Sequence, residues 1–336
     1  MRTKATSRRV GLFGVILFVS LQATSAHAQD CTYSLDPVEL EVKTLLAKIQ
    51  EDPFREGLTE YSEALTKVAN AQDEWVRRAE DGNNNTCKPY TSDMAQYEAD
   101  VQNYNGRCAG TLPEAAYNQC MSERGSLLNR KAALDARSKE MDSSLATLNA
   151  GGQEILKQAI SAVEPAREIL DPQNTEKAFW LLAHSKWSDV NENSLTDCEA
   201  MAQLYGALVK RVRANPGDIA LYSGQVLANG VGYRDITVVA RGTNHVDYGQ
   251  DGFRPQYQDD DPNSQNQVRH FAGYFVLGLK YPSRAQHADI VTYIRDTGQT
   301  ADIALGITAA SMGQMIANDP SRIRFLEGTI RSTICH

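Results

Sequence analysis

Past residue 28 the chain has no apolar run long enough to cross a membrane, which takes roughly 17–25 residues. The mature protein is therefore expected to carry no membrane span. It also lacks a dense basic stripe, so a phosphate backbone or a bulk-charge contact with anionic lipid has nothing to hold. No two cysteines stand two to four apart, as zinc ligands usually do. There is no Gly-x-Ser-x-Gly elbow for a serine nucleophile and no HExxH zinc helix. Gly230-Val-Gly232 lacks the third glycine and the helix start that a phosphate loop needs.

What is present begins with an export signal. Arg2, Lys4, Arg8 and Arg9 form a positive start, and residues 10–21 are uncharged and mostly apolar. Ala26-His27-Ala28 then offers small residues where a signal peptidase reads. Cleavage after Ala28 takes four positive charges and no acid from a net charge of −8, leaving −12. Ser7-Arg8-Arg9 leaves both the general and the twin-arginine export routes open. The expected location is secreted or periplasmic.

The six cysteines are Cys31, Cys87, Cys108, Cys120, Cys198 and Cys335. An even number in an oxidising compartment reads as disulfides, although six allow 15 pairings. Cys108 and Cys120 flank a turn between helical runs and form the natural local pair. A bridge to Cys335 would pin a terminus that otherwise frays.

The N-terminal half reads as amphipathic helix. Asp36-Pro37-Val38-Glu39 is a helix start, followed by Val38, Val42, Leu45 and Ile49 on one face. Phe54, Leu58, Tyr61, Leu65 and Val68 step by four and three, a heptad seam. Asp81-Gly82-Asn83-Asn84-Asn85 is expected to break it. Met94, Tyr97, Val101 and Tyr104 mark a third run that ends at Asn105-Gly106. Thr111-Leu112-Pro113-Glu114 opens the longest one, with Cys120, Leu127, Leu134, Met141 and Leu148 seven apart. Gly151-Gly152 is expected to stop it, and Pro165 to kink or end the run after it.

From Asp171-Pro172-Gln173-Asn174 the texture changes, and five of the six histidines follow. Thr196 and Glu199 cap a helix with Cys198, Met201, Tyr205, Leu208 and Val212 on its buried face, stopped at Asn215-Pro216-Gly217. Residues 217–262 read as irregular, with one strand candidate at 235–240. Helices are expected over 266–279, 284–295 and 300–317, and from Ser321 toward Cys335. In the third of these, Gly306, Ala310 and Gly313 share a face that admits a close neighbour.

Three constellations could carry chemistry. Asn266, Arg269 and His270 share one helical face, with His270 as base or metal ligand and Arg269 as an anion holder. His245 and Asp247 stand on one side of an extended segment and could join them, with His287 and Asp289 beyond. Asp189, Asn191, Asn193 and Asp197 resemble the first half of a calcium loop, although the twelfth position is Ala200 and the sixth is Ser194. The cofactors these residues admit are calcium or a divalent transition metal. Beside each stands a structural reading: ion pairs fastening a loop, or an Asp/Asn-rich helix cap.

The fold class expected is mainly α, with an N-terminal helical bundle or antiparallel coiled coil and a compact α-rich C-terminal domain with a long loop and little strand. The parts are a signal peptide over 1–28, a coiled-coil-like domain over 29–152, a connecting helix over 153–170 and a globular domain over 171–336. The function expected is an exported, disulfide-stabilised binding or scaffolding protein of the cell envelope or exterior. Its partner is a protein or an envelope component met through the helical half, and heptad stripes also admit oligomers. The rival is a secreted hydrolase or effector with a His/Asp/Arg site.

Overall fold

The structure is a computed structural model that describes residues 36–108, 113–228, 248–259, 267–287 and 300–336. It is mainly α. Among the described residues there is no strand, and the β geometry that occurs is an isolated antiparallel bridge from Phe253 to Cys335. The strand candidate at 235–240, together with Thr111 of the expected cap, lies outside the described residues. No described helix is long and apolar enough to cross a membrane.

The helices are α1 (Asp36–Glu51), α2 (Thr59–Gly82), α3 (Lys88–Arg107), α4 (Glu114–Leu170), α5 (Thr175–Asn191), α6 (Asp197–Arg211), α7 (Pro216–Tyr222), α8 (Gln267–Lys280), α9 (Thr300–Asn318) and α10 (Leu326–Thr333). Contacts divide them into two compact units, one holding Glu74–Gln153 and the other residues 36–73 together with Glu154–His336.

The first unit is an antiparallel hairpin of α3 against α4. Cys87, Tyr90, Leu134 and Met141 are its buried core, with Met94, Tyr97 and Leu145 against them. Arg107 pairs with Glu123 at 2.7 Å, Arg130 with Asp100 at 2.6 Å and Arg137 with Asp93 at 2.5 Å. Each rung lies seven residues from the next on both helices, so the rungs recur along one side of each helix. Exposed ion pairs contribute about 0–1 kcal/mol each, and their work here is to fix register. The Cys108–Cys120 disulfide closes the turn, as the sequence suggested.

Two expected breaks are continuous helix. Asp81 to Asn85 stays helical because Asn83–Cys87 widens into a π turn, with the Lys88 N–H reaching the Asn83 carbonyl. Gly151-Gly152 lies inside α4, and its glycines make room for an indole. A Cβ on Gly152 would stand 3.2 Å from the Trp75 ring, whose Nε1 donates to the Leu148 carbonyl at 2.8 Å.

In the second unit, α1 and the start of α2 share one core with the C-terminal helices. Val42, Leu45, Ile49, Phe54, Leu58, Leu65 and Val68 are buried together with Ala159, Val163, Ala166 and Ile169 of α4 and with α5 to α10. The burial of Ala166 and Ile169 explains why α4 runs past Pro165 to Leu170. Packing of that last turn offsets a proline cost of about 3 kcal/mol. Asp171 then ends the helix and caps a short 3₁₀ turn (Pro172–Asn174) by accepting from the Gln173 N–H.

The Thr196 cap of α6 forms as expected, its hydroxyl accepting from the Glu199 N–H. Asn215-Pro216-Gly217 stops that helix and also starts α7, because the Asn215 side chain accepts from the N–H groups of Gly217 and Asp218. A π turn, Ser223–Leu227, follows. The start of the stretch read as irregular is thus helical. The expected helix over 284–295 appears as a 3₁₀ run, Pro282–His287, and residues 288–299 lie outside the described residues. The small-residue face of α9 meets α8: a Cβ on Gly278 would overlap the Ala310 carbonyl, and one on Gly313 the Phe275 carbonyl.

The C-terminus is tied down at several points. Cys335 is bonded to Cys198 at the start of α6. Arg254 donates to the carbonyls of Cys335 and Ser332 at 3.0 and 2.6 Å.

Candidate binding site

His270 and Arg269 lie on α8, both half-buried. The His270 ring packs on Tyr274 at 4.8 Å between centroids, and its Nε2 stands 2.9 Å from the Asp302 backbone oxygen. A carbonyl only accepts, so Nε2 carries the proton there and is not the atom of a base or a metal ligand. The neighbouring Gln267 is fully buried and donates to the Asp302 carboxylate at 3.2 Å. Asn266, His245 and Asp247 lie outside the described residues.

Of the four residues of the calcium-like loop, Asp189 and Asp197 have protein partners. Asp189 stands 3.6 Å from the Lys186 ammonium, and its carbonyl receives the Ser194 N–H and hydroxyl at 3.0 and 2.7 Å. Asn191 is the last residue of α5, and Asn193 follows with φ +56°, the left-handed turn that closes a helix. Asp197 is buried, with Oδ1 accepting from the Gly249 N–H and Oδ2 from the Asp251 N–H, each at 2.8 Å. Burial pushes its pKa up, and those two N–H groups hold the rise back. Among the described residues, no three His, Cys, Asp or Glu side chains are placed to hold a metal.

The richest unassigned surface lies on α5. The sequence reading places no element between Asn174 and Thr196, yet Ala178, Phe179, Leu182, Ala183 and Lys186 have helical spacing and are the buried face of this helix. Trp180, His184 and Trp187 step by four and three along a half-buried edge. The His184 ring lies 3.9 Å from Trp180 and 6.3 Å from Trp187 between centroids. Burial lowers the His184 pKa, so the imidazole is neutral near pH 7.

A cleft of about 290 Å³ opens beside Trp180. Gln173 and Asn174 come from the 3₁₀ turn, Glu176 and Lys177 from the first turn of α5, and Gln225 with Val226 from the π turn. Local bonds set these positions. Asn174 Nδ2 donates to the Glu168 carbonyl at 2.8 Å, leaving Oδ1 as its acceptor, and the Thr175 hydroxyl donates to the Pro172 carbonyl at 2.7 Å. The π turn closes with the Ala228 N–H on the Ser223 carbonyl at 3.0 Å. Tyr248, buried, donates to the Ala183 carbonyl of the same helix at 2.5 Å.

A second surface belongs to the hairpin unit. Tyr117, Met121 and Leu128 on α4 are 54%, 44% and 55% exposed, and their spacing of four and seven puts them on one face. Gly125 lies between them with nothing within 4 Å of a Cβ. Exposed apolar residues scattered singly are ordinary, whereas these three share one helix face.

Compared with protein-family models, curated protein sequences and solved structures, the chain matches nothing.

Proposed function

We propose that this is an exported binding protein of the cell envelope or exterior, and that it docks a protein partner through the outer face of its helical hairpin. The observation that carries the reading is the aligned exposure of Tyr117, Met121 and Leu128 on a hairpin whose own seam is filled. The seven-residue ion-pair ladder supports reading that hairpin as an antiparallel coiled coil. The disulfides Cys108–Cys120 and Cys198–Cys335 fit an oxidising compartment. The rival hydrolase reading would rest on His270 Nδ1, since Nε2 is engaged by a backbone carbonyl.

The test is a photo-cross-linking residue in place of Met121, in cells that produce the protein. The expected result is one discrete adduct with another protein, lost when Tyr117→Asp and Leu128→Asp are added. Its chain should begin at Gln29 and carry no free thiol. No adduct, an adduct indifferent to the two aspartates, or a reduced chain retained in the cytoplasm would overturn the proposal. An adduct of twice the chain's mass would replace the partner with a second copy.

A further inference from the structure

We infer that the cleft beside Trp180 is a saccharide site, and this inference does not depend on the hairpin reading. Its composition decides the ligand class. It has one aromatic residue in its lining, the half-buried Trp180. Around it stand three carboxamides, Gln173, Asn174 and Gln225, each able to accept as well as donate. One acid and one cation, Glu176 and Lys177, complete the rim and cancel in charge.

Other ligand classes fit poorly. An anion would want net positive charge, but Lys177 has Glu176 beside it in sequence and Glu168 at 3.4 Å. A metal ion would want several carboxylates, and Glu176 is the one in the lining. A lipid chain would want a lining of apolar residues, and here five of the seven, Gln173, Asn174, Glu176, Lys177 and Gln225, are polar or charged. A pyranose matches on both counts. Its C–H face lies flat on an aromatic ring, while its vicinal hydroxyls, donors and acceptors at once, suit carboxamides. About 290 Å³ sits at the small end of ligand clefts, room for a sugar unit or a chain end.

The wall is also held ready. Trp180 packs against the unit's core and its ring is braced by His184 at 3.9 Å. A ring fixed before binding loses little freedom on binding.

The experiment takes the disulfide-bonded protein from Gln29 onward. Chitotetraose, cellotetraose and maltotetraose are titrated by calorimetry, and insoluble chitin, cellulose and peptidoglycan are tested by co-sedimentation. Binding to at least one is expected. Binding to polymers alone assigns a surface glycan, and binding to a free tetrasaccharide assigns a soluble one. Trp180→Ala is expected to weaken it about tenfold or more, the cost of a lost aromatic contact. Trp180→Phe, which keeps a flat ring, retains most affinity, and Gln225→Ala loses several-fold. Trp75→Phe, in the other unit, leaves binding unchanged. If Trp180→Ala fails to fold, judged by circular dichroism, the Phe and Gln225 variants decide the matter. No binding to any probe at millimolar concentration, or equal binding by parent, Trp180→Ala and Gln225→Ala, would overturn the inference.

Discussion

Removing the Asp52 carboxylate should cost the second unit about 3–5 kcal/mol, the usual penalty for stranding a buried charge. Asp52 follows α1, and both it and its ion-pair partner Arg211 on α6 are nearly inaccessible, at 7% and 10% exposure. Asp52 Oδ1 also accepts from the Phe54 N–H at 2.8 Å. The Arg211 guanidinium lies 5.4 Å over the Phe54 ring and reaches the Ile169 and Leu170 carbonyls at 3.4 and 3.5 Å. One ion pair thus joins the end of α1, the end of α4 and α6. Those carbonyls soften the loss in Asp52→Ala but do not replace a charge. A domain's whole stability is about 5–15 kcal/mol, so the variant should forfeit a large share. In Asp52→Ala/Arg211→Met no charge is stranded, and much of the loss should return, giving a coupling of about 0.5–3 kcal/mol. The assay is urea unfolding followed by the emission of Trp180 and Trp187 in a Trp75→Phe background. A single-variant loss below about 1 kcal/mol, or strict additivity in the cycle, would refute the reasoning.

Two further outcomes follow from the same unit and its neighbour. Cys198 and Cys335 are 137 residues apart and Cys108 and Cys120 are 12 apart, and loop-closure entropy assigns about 5 and about 3 kcal/mol to these bridges. Thermal melts of Cys198→Ala/Cys335→Ser and of Cys108→Ser/Cys120→Ser should show the larger loss in the first, and the reverse order would count against the C-terminal tie. The His184 pKa is lowered by burial, so near and below pH 6.5 the unfolded chain binds a proton more readily than the folded one. Stability at His184 is therefore full above that pH and declines as the pH falls below it. His184→Gln should flatten the difference between melts at pH 7.5 and 5.5, and an unchanged slope would show that His184 is not its source.

What the sequence made legible was local. The α6 cap needs only Thr196 and Glu199, three residues apart, and it forms as read. Two of the α4 residues read as seven apart, Leu134 and Met141, are buried. The Cys108–Cys120 pair needs only the turn between them. The misread points depend on residues far away. Gly151-Gly152 looks like a stop until Trp75 is packed on it. Pro165 looks like an end until Ala166 and Ile169 are buried. The seam Phe54, Leu58, Tyr61, Leu65 and Val68 fits any helical partner, and its periodicity does not say that the core it joins is built largely from the end of α4 and the helices after it.

The candidate site was hidden for a different reason. Sequence reading is drawn to reactive side chains, because His, Asp and Arg are where catalysis and metal binding begin. In this fold two of those residues bond to the backbone. His270 Nε2 meets a backbone carbonyl, and Asp197 holds two backbone N–H groups. A buried titratable group must be hydrogen-bonded whether or not it reacts, so reactivity by residue type alone does not separate the two cases. The cleft at Trp180 is built from the opposite materials. Its amides and its indole are unremarkable one by one, and they come from residues 173–180 and 225–226, joined by no motif. Recognition of a neutral ligand needs shape, one flat apolar wall and exchangeable hydrogen bonds, none of which leaves a periodic trace. Such a site becomes visible only when the 3₁₀ turn, the start of α5 and the π turn stand side by side, and there the lining selects its ligand by what it can and cannot bind.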